Sequence, residues 1–221
     1  MHNAAVTEGS RPATPKPRTY ADAPRLSAVE NTPVDVRGLV DGQWIEVEIG
    51  PGRGGFLLER AASAPSAGLV GLEVRRKWAA IVDARLQKHG LGARARVFAE
   101  DAKAALPRLA PDASVRRVFV HFPDPWWKKR HHKRLVMGDL LLDEIARLLE
   151  AGGEIFVQTD VEERADQYEA LLGSDARFES AGDVEGSARM IENPYGARSH
   201  RERRAISDGL PVHRIRFRKK R

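Results

Sequence analysis

The segment Glu48-Ile-Gly-Pro-Gly-Arg-Gly-Gly55 follows the apolar run WIEVEI (44–49) and opens GGFLLERAA (54–62). A strand that passes through a glycine-rich turn into a helix can bring its backbone close to a cofactor, because glycine has no Cβ in the way. Gly50, Gly52 and Gly55 satisfy the spacing G-x-G-x-x-G, and Glu73 ends the next apolar run, GLVGLE (68–73), where a carboxylate that binds ribose hydroxyls is expected. An adenosine-containing cofactor follows, with NAD still open. Glu48 decides between them. A carboxylate two residues before the first glycine would lie beside a pyrophosphate, where like charges are unfavourable. S-adenosylmethionine has no phosphate and carries a sulfonium and an ammonium, so the acidic residues Glu48, Glu73 and Asp101 at three successive strand ends suit it. The competing reading puts Glu46 and Glu48 on the solvent face of an alternating strand, and makes Asp101 an ordinary helix-start acid before AKAAL.

A second chemical segment is Phe119-Val-His-Phe-Pro-Asp-Pro-Trp-Trp-Lys-Lys-Arg-His-His-Lys-Arg134. An apolar strand that runs into Pro-Asp-Pro must turn sharply, which fixes one carboxylate, Asp124, at its end. Two tryptophans and a dense basic run follow, and rings beside cations are what a nucleic-acid groove uses to stack bases and hold phosphates. The adjacent His131 and His132 have no carboxylate at ligand spacing, so they read as RNA-facing or inert rather than as metal ligands, and no metal is expected.

These groups need a scaffold, and the chain supplies one. Short apolar runs at 44–49, 68–73, 95–99, 115–122 and 153–159 alternate with helical stretches at 54–62, 75–89, 135–150 and 161–172. Two late strands fall around 176–181 and 212–219, and Gly152-Gly153 reads as the stop of the 135–150 helix. The alternation predicts an α/β, doubly wound sheet with helices on both faces. Residues 1–36, rich in Ala, Pro, Thr, Ser and Arg, read as a disordered basic arm or one that orders on RNA, ahead of a single domain at 37–221.

Composition narrows the classes further. The 221 residues carry 37 Lys+Arg and 31 Asp+Glu, a net charge of +6, and no cysteine. That excludes a disulfide framework, a cysteine-ligated metal and thiol catalysis. No apolar run approaches the roughly 20 residues of a membrane helix, and the N-terminal stretch lacks the apolar core of a secretory signal. A cytoplasmic location, no membrane contact and a polyanionic partner are expected.

The run FPDPWWKKRHHKR resembles the signature of the bacterial tRNA (guanine-N7-)-methyltransferase family. EIGPGRGGF, GLEVRRKW, AEDAKAAL and QTDVEERADQY resemble the family's other motifs in the same order, so the likeness spans 40–221. It implies a Rossmann-like class I methyltransferase sheet of seven strands, one of them antiparallel near the C-terminal edge. It also implies methyl transfer from S-adenosylmethionine to N7 of a guanine in the variable loop of tRNA, with no obligatory protein partner. Carried over position by position, Glu48, Gly50, Gly52, Glu73, Asp101 and Asp124 bind the cofactor, and Asp124 is also catalytic. Lys128, Asp160, Ser199 and Glu202 bind substrate, and Arg130, His131, His132, Lys133, Arg134 and Leu135 touch RNA. The family's Thr-x-x-Glu element is Ser199-His-Arg-Glu202 here, a departure that keeps the hydroxyl. The alternatives are another nucleic-acid methyltransferase on the same fold, a non-catalytic RNA-binding protein, or an NAD(P)-dependent oxidoreductase with Arg75-Arg76 on a 2′-phosphate.

Overall fold

The structure is a computed structural model and describes residues 20–27, 29, 32–123 and 138–221. Its elements run β1 (Val34–Asp35), β2 (Trp44–Ile49), α1 (Gly55–Ser63), β3 (Ala67–Leu72), α2 (Arg76–Lys88), β4 (Ala95–Phe98), α3 (Ala102–Ala105), β5 (Leu109–Ala110) and β6 (Val115–His121), then α4 (Asp139–Leu148), β7 (Leu149–Thr159), α5 (Glu162–Gly173), β8 (Phe178–Ser180), β9 (Arg189–Met190), α6 (His200–Ser207) and β10 (His213–Lys219). The main sheet has the order β4-β3-β2-β6-β7-β10-β8. Strands β2, β3, β4, β6 and β7 pair in parallel, and β10 runs antiparallel to β7 and β8. The two-residue strand β9 also pairs with β10, making eight strands where seven were expected. Order reverses between β2 and β6, so their carboxyl ends frame the crevice where ligands of open α/β sheets bind. Among the described residues no helix is long and apolar enough to cross a membrane.

Strand alternation gives the sheet two different faces. Val47, Ile49, Val118, Val120, Ile155, Val157, Ile215 and Phe217 point to one side and form the main core with Leu141, Leu142, Ile145, Leu148, Ala165, Tyr168 and Leu172 of α4 and α5. The opposite side, covered by α1 and α2, has an apolar half in which Leu57, Ala61, Ala79, Val82 and Leu86 pack on Leu69, Ala95 and Val97.

The centre of that second face is charged. Glu46 on β2 is 1% exposed and accepts from Arg60 Nε and Nη2 at 2.8 Å each, from Arg117 Nη1 at 2.8 Å and from Trp44 Nε1 at 3.1 Å. Arg117 Nε continues to Glu154 Oε2 at 2.9 Å, and the Tyr195 hydroxyl donates to the same oxygen at 3.2 Å. Arg60 also donates to the Tyr195 carbonyl at 2.7 Å. Two long arginines on α1 and β6 thus tie the buried Glu46, the half-buried Glu154 and a loop tyrosine into one network. Burial alone would raise the carboxyls of Glu46 and Glu154, yet the hydrogen bonds and charges of Arg60 and Arg117 hold both below their ordinary value. Burial pushes the Tyr195 phenol up, with the Glu154 charge adding to it.

The competing reading of Glu46 and Glu48 gives way: neither faces solvent, and both are buried because α1 and the loop before α6 cover their side of the sheet. Other sequence expectations change. The helix expected over 135–150 ends at Leu148, and Gly152-Gly153 lies inside β7 rather than stopping the helix. Register between β6 and β7 shifts there, from Val115↔Leu149 to Arg117↔Glu154, and Gly152 at φ +78° absorbs the extra residues. Leu26 and Val36, assigned to the arm, are buried in the core, and Arg25 pairs with the buried Glu100 at 2.8 Å. The sequence pattern misses this because an isolated Leu or Val in a Pro-rich stretch carries no periodicity.

Arg60→Met leaves Glu46 with one guanidinium and an unfilled pocket, so the unfolding free energy should fall by about 3–5 kcal/mol, read from urea denaturation. The pH sense is also fixed. Carboxyls held below their ordinary value of 4.5 stabilise the fold above that pH, and this is lost as pH falls through their lower folded values. Acid unfolding of Glu46→Gln that matches the unsubstituted chain would contradict the network.

Candidate active site

The turn after β2 is built on left-handed backbone. Gly50, Gly52 and Gly54 have φ of +71°, +55° and +72°, a region that side chains with a Cβ enter only with strain. Gly54 caps α1, and a Cβ there would meet Val82 Cγ1 at 2.2 Å, so α2 packs directly on the turn. Gly50 N donates to Leu72 O at 2.9 Å, fixing the turn to the end of β3. Glu73, one residue on, accepts from Gly52 N at 2.9 Å and from Arg75 N and Nε at 3.0 Å each. Its carboxylate therefore braces the turn while facing the crevice, and Arg75 is occupied by Glu73. Gly55 opens α1 at ordinary backbone angles; Gly54, which the G-x-G-x-x-G spacing passes over, takes the left-handed position.

Glu48 is 1% exposed at the end of β2, and its Oε1 lies 2.8 Å from His121 Nδ1 at the end of β6. Phe56 and Phe119 flank the imidazole at centroid distances of 4.3 and 5.7 Å. Glu48 Oε2, His121 Nε2 and both side-chain polar atoms of the buried Gln158 have no hydrogen-bond partner among the described residues. Unsatisfied buried polar atoms are rare and expensive, and these four atoms cluster at the ends of β2, β6 and β7. A carboxylate with one oxygen unpartnered among the described residues, beside a glycine turn, fits a cationic group such as the ammonium of S-adenosylmethionine. His121 and Gln158 escaped the sequence reading. The signal was there, since strand pairing puts them on the Glu48 face.

At the next strand end, Asp101 is exposed and caps α3, accepting from Lys103 N at 3.0 Å. Its neighbour Glu100 is the buried carboxylate, already bound by Arg25 and by Leu26 N. The acidic ring thus has two buried members and one exposed one. Asp160, after β7, pairs with Arg201 of α6. Ser199 caps α6 by accepting from Glu202 N at 3.1 Å. Glu202, fully buried, accepts from Arg214 Nη2 and Asn193 Nδ2 at 3.0 Å each. A Cβ at Gly55 would meet His200 N at 3.2 Å. The start of α6 therefore stands against the glycine turn, and Ser199, Glu202 and Asp160 gather at the same edge as Glu48 and Glu73.

Phe122 follows β6 at φ +48°, with its N–H on Gln158 O at 2.7 Å. A phenylalanine in that region is strained by about 1–3 kcal/mol, and the strain redirects the chain at Pro123. Asp124, Lys128, Arg130, His131, His132, Lys133, Arg134 and Leu135 lie outside the described residues.

The Methyltransf_4 family model, "Putative methyltransferase", matches residues 43–215. The tRNA (guanine-N(7)-)-methyltransferase of Anaeromyxobacter dehalogenans is 41% identical over 80% of this chain and 86% of its own length. The enzyme of the same name from Myxococcus xanthus is 35% identical over 78% of this chain and 82% of its own. Among solved structures, the 16S rRNA methyltransferase KamB aligns over 84% of this chain and 91% of its own with a TM-score of 0.56 at 18% identity, a likeness of fold.

Gly54→Ala adds left-handed strain of about 1–2 kcal/mol and drives a methyl into Val82. The thermal midpoint should fall by several degrees, and an unchanged midpoint would contradict the packing of α2 on the turn.

Proposed function

This chain is a member of the tRNA (guanine-N(7)-)-methyltransferase family, and we propose that it methylates N7 of a guanine in the variable loop of tRNA. The NAD(P) oxidoreductase alternative gives way to the methyltransferase match over residues 43–215. The observation that carries the reading is the buried Glu48 carboxylate, held by His121 on one oxygen and lacking a partner among the described residues on the other, at the mouth of the glycine turn. Bound S-adenosylmethionine supplies an electrophilic methyl group on a sulfonium. Glu48, Gly50, Gly52, Glu73 and Asp101 would hold it, with Asp124 closing the site. A buried carboxylate with one oxygen unpartnered among the described residues favours a cation and disfavours a pyrophosphate.

Guanine N7 exposes a lone pair at neutral pH, so this chain needs no general base before attack. Its task is to align the purine and to exclude water. Methylation leaves the purine cationic, and a carboxylate accepting from N1–H or the 2-amino group binds that charged ring more strongly than the neutral one. Asp124 takes this role. Asp160 is the second candidate for that role and otherwise binds substrate, with Lys128, Ser199 and Glu202 placing the nucleotide and residues 130–135 meeting RNA. Serine at 199 already serves as the helix cap, so the hydroxyl that replaces the family's threonine is retained structurally. The reading calls for no metal and no second protein chain, and a tRNA substrate accords with a cytoplasmic setting.

Nucleoside mass spectrometry on unmodified tRNA transcript, incubated with protein and S-adenosylmethionine, should reveal 7-methylguanosine. Asp124→Ala should lower its formation by about 10²–10³-fold while the chain stays folded. Undiminished product from the folded variant would remove Asp124 from the mechanism, and a methyl group on another position would redirect the substrate assignment.

A further inference from the structure

Beside the glycine turn, on the outer surface of α1, α2 and α6, lies an open groove of about 440 Å³ lined by Arg53, Glu59, Trp78, Arg85, His200 and Arg203 among others. None of the carboxylates at the strand ends lines it, so it is distinct from the cofactor crevice. Three guanidiniums face it against one carboxylate. Glu59 pairs with Arg203 and accepts from Arg198 N at 2.8 Å, which leaves the charges of Arg53 and Arg85 in excess.

Arg53 and Arg85 are exposed, yet each is directed into the groove. The Arg53 guanidinium sits 5.4 Å from the Trp78 ring centroid, and its Nη1 is 3.3 Å from His200 Nε2. Arg85 Nη1 donates to the Arg53 carbonyl at 3.3 Å. An aromatic face orients a guanidinium without neutralising it, and the hydrogen bond to the Arg53 carbonyl holds the second cation on the same groove. Like charges gathered this way repel, and a bound anion turns that repulsion into attraction. Guanidinium forks match phosphate oxygens bidentately. An open groove of this size, next to the methyl-transfer edge, suits a chain phosphate that continues past it.

We infer that this groove holds a backbone phosphate of the tRNA outside the target nucleotide, clamped by Arg53 and Arg85 and oriented by Trp78. The inference rests on the tRNA reading above. Glu59 tempers the site, setting it apart from a uniformly basic surface.

The test uses the full chain, tRNA transcript and a salt series. Arg53→Gln/Arg85→Gln should raise the tRNA Kd about tenfold at low salt. It should also flatten the slope of log affinity against log salt by about 0.7–0.9 for each phosphate no longer neutralised. S-adenosylmethionine affinity should hold, which reports folding, and kcat at saturating tRNA should stay within about twofold, so that KM carries the effect. Arg53→Lys/Arg85→Lys should restore the slope and part of the affinity, because the charge returns without the fork. Should the double variant fold poorly, Arg85→Gln alone, an exposed side chain with one hydrogen bond to the backbone, should lose one such increment of slope. Wild-type Kd and slope in the glutamine variants, with the unsubstituted protein active on tRNA, would overturn the groove alone. An unsubstituted protein that neither binds nor methylates tRNA would overturn the tRNA reading and the groove together.

Discussion

A carboxylate buried in the middle of a parallel sheet stays ionised only if cations reach it from several sides, and Glu46 sets that requirement for the whole molecule. Arg60 meets it from α1 and Arg117 from β6, each at 2.8 Å. Because Arg60 belongs to the helix that follows the glycine turn, satisfying Glu46 also fixes the pitch of α1 against the sheet. Because Arg117 continues to Glu154, the same charge locks β2, β6 and β7 together on the face where apolar packing is thinnest. Removal of any one partner strands a buried charge, which is far more destabilising than absence of the whole network.

The functional edge inherits its precision from this network. Two residues along β2 from Glu46, Glu48 points to the same face and is reached by His121, two residues beyond Phe119 on β6. Tyr195, gripped by Arg60 and Glu154 and edge-on to Phe119 and Phe156 at 4.9 Å each, anchors the loop that delivers Ser199 and α6 to the glycine turn. Glu202, on the first turn of α6, is tied to β10 through Arg214. Charged pairs therefore do on this face what apolar side chains do on the other, and they do so with fixed directions. Directional bonds hold a crevice open, whereas apolar packing alone would tend to close it.

What local pattern encodes was legible in the chain. Alternation located all five parallel strands, and the glycine turn with Glu48 and Glu73 followed from residue type and spacing. What depends on distant partners was not. The bonds from Glu46 to Arg117, from Arg25 to Glu100 and from Glu202 to Arg214 join residues that no periodicity links, and only the folded sheet makes them neighbours. The boundary between α4 and β7 misled for a different reason. Gly152-Gly153 has the local chemistry of a helix stop, yet the helix has already ended at Leu148 and the glycines accommodate a shift in strand register. Past the end of β4, Glu100 is buried because Arg25 and Leu26 N of the N-terminal segment bind it, whereas Asp101 stays exposed as the cap of α3.

We propose that the buried Glu48 carboxylate at the end of β2, with one oxygen unpartnered among the described residues, selects a cationic cofactor. Calorimetric titration of the full chain with S-adenosylmethionine, and of Glu48→Gln under the same conditions, tests it directly. Saturable binding that weakens by at least about tenfold in the variant, a difference of about 1.4 kcal/mol, with NAD giving no heat, is the predicted result. Equal affinity in the two proteins, or preferential binding of NAD, would contradict it.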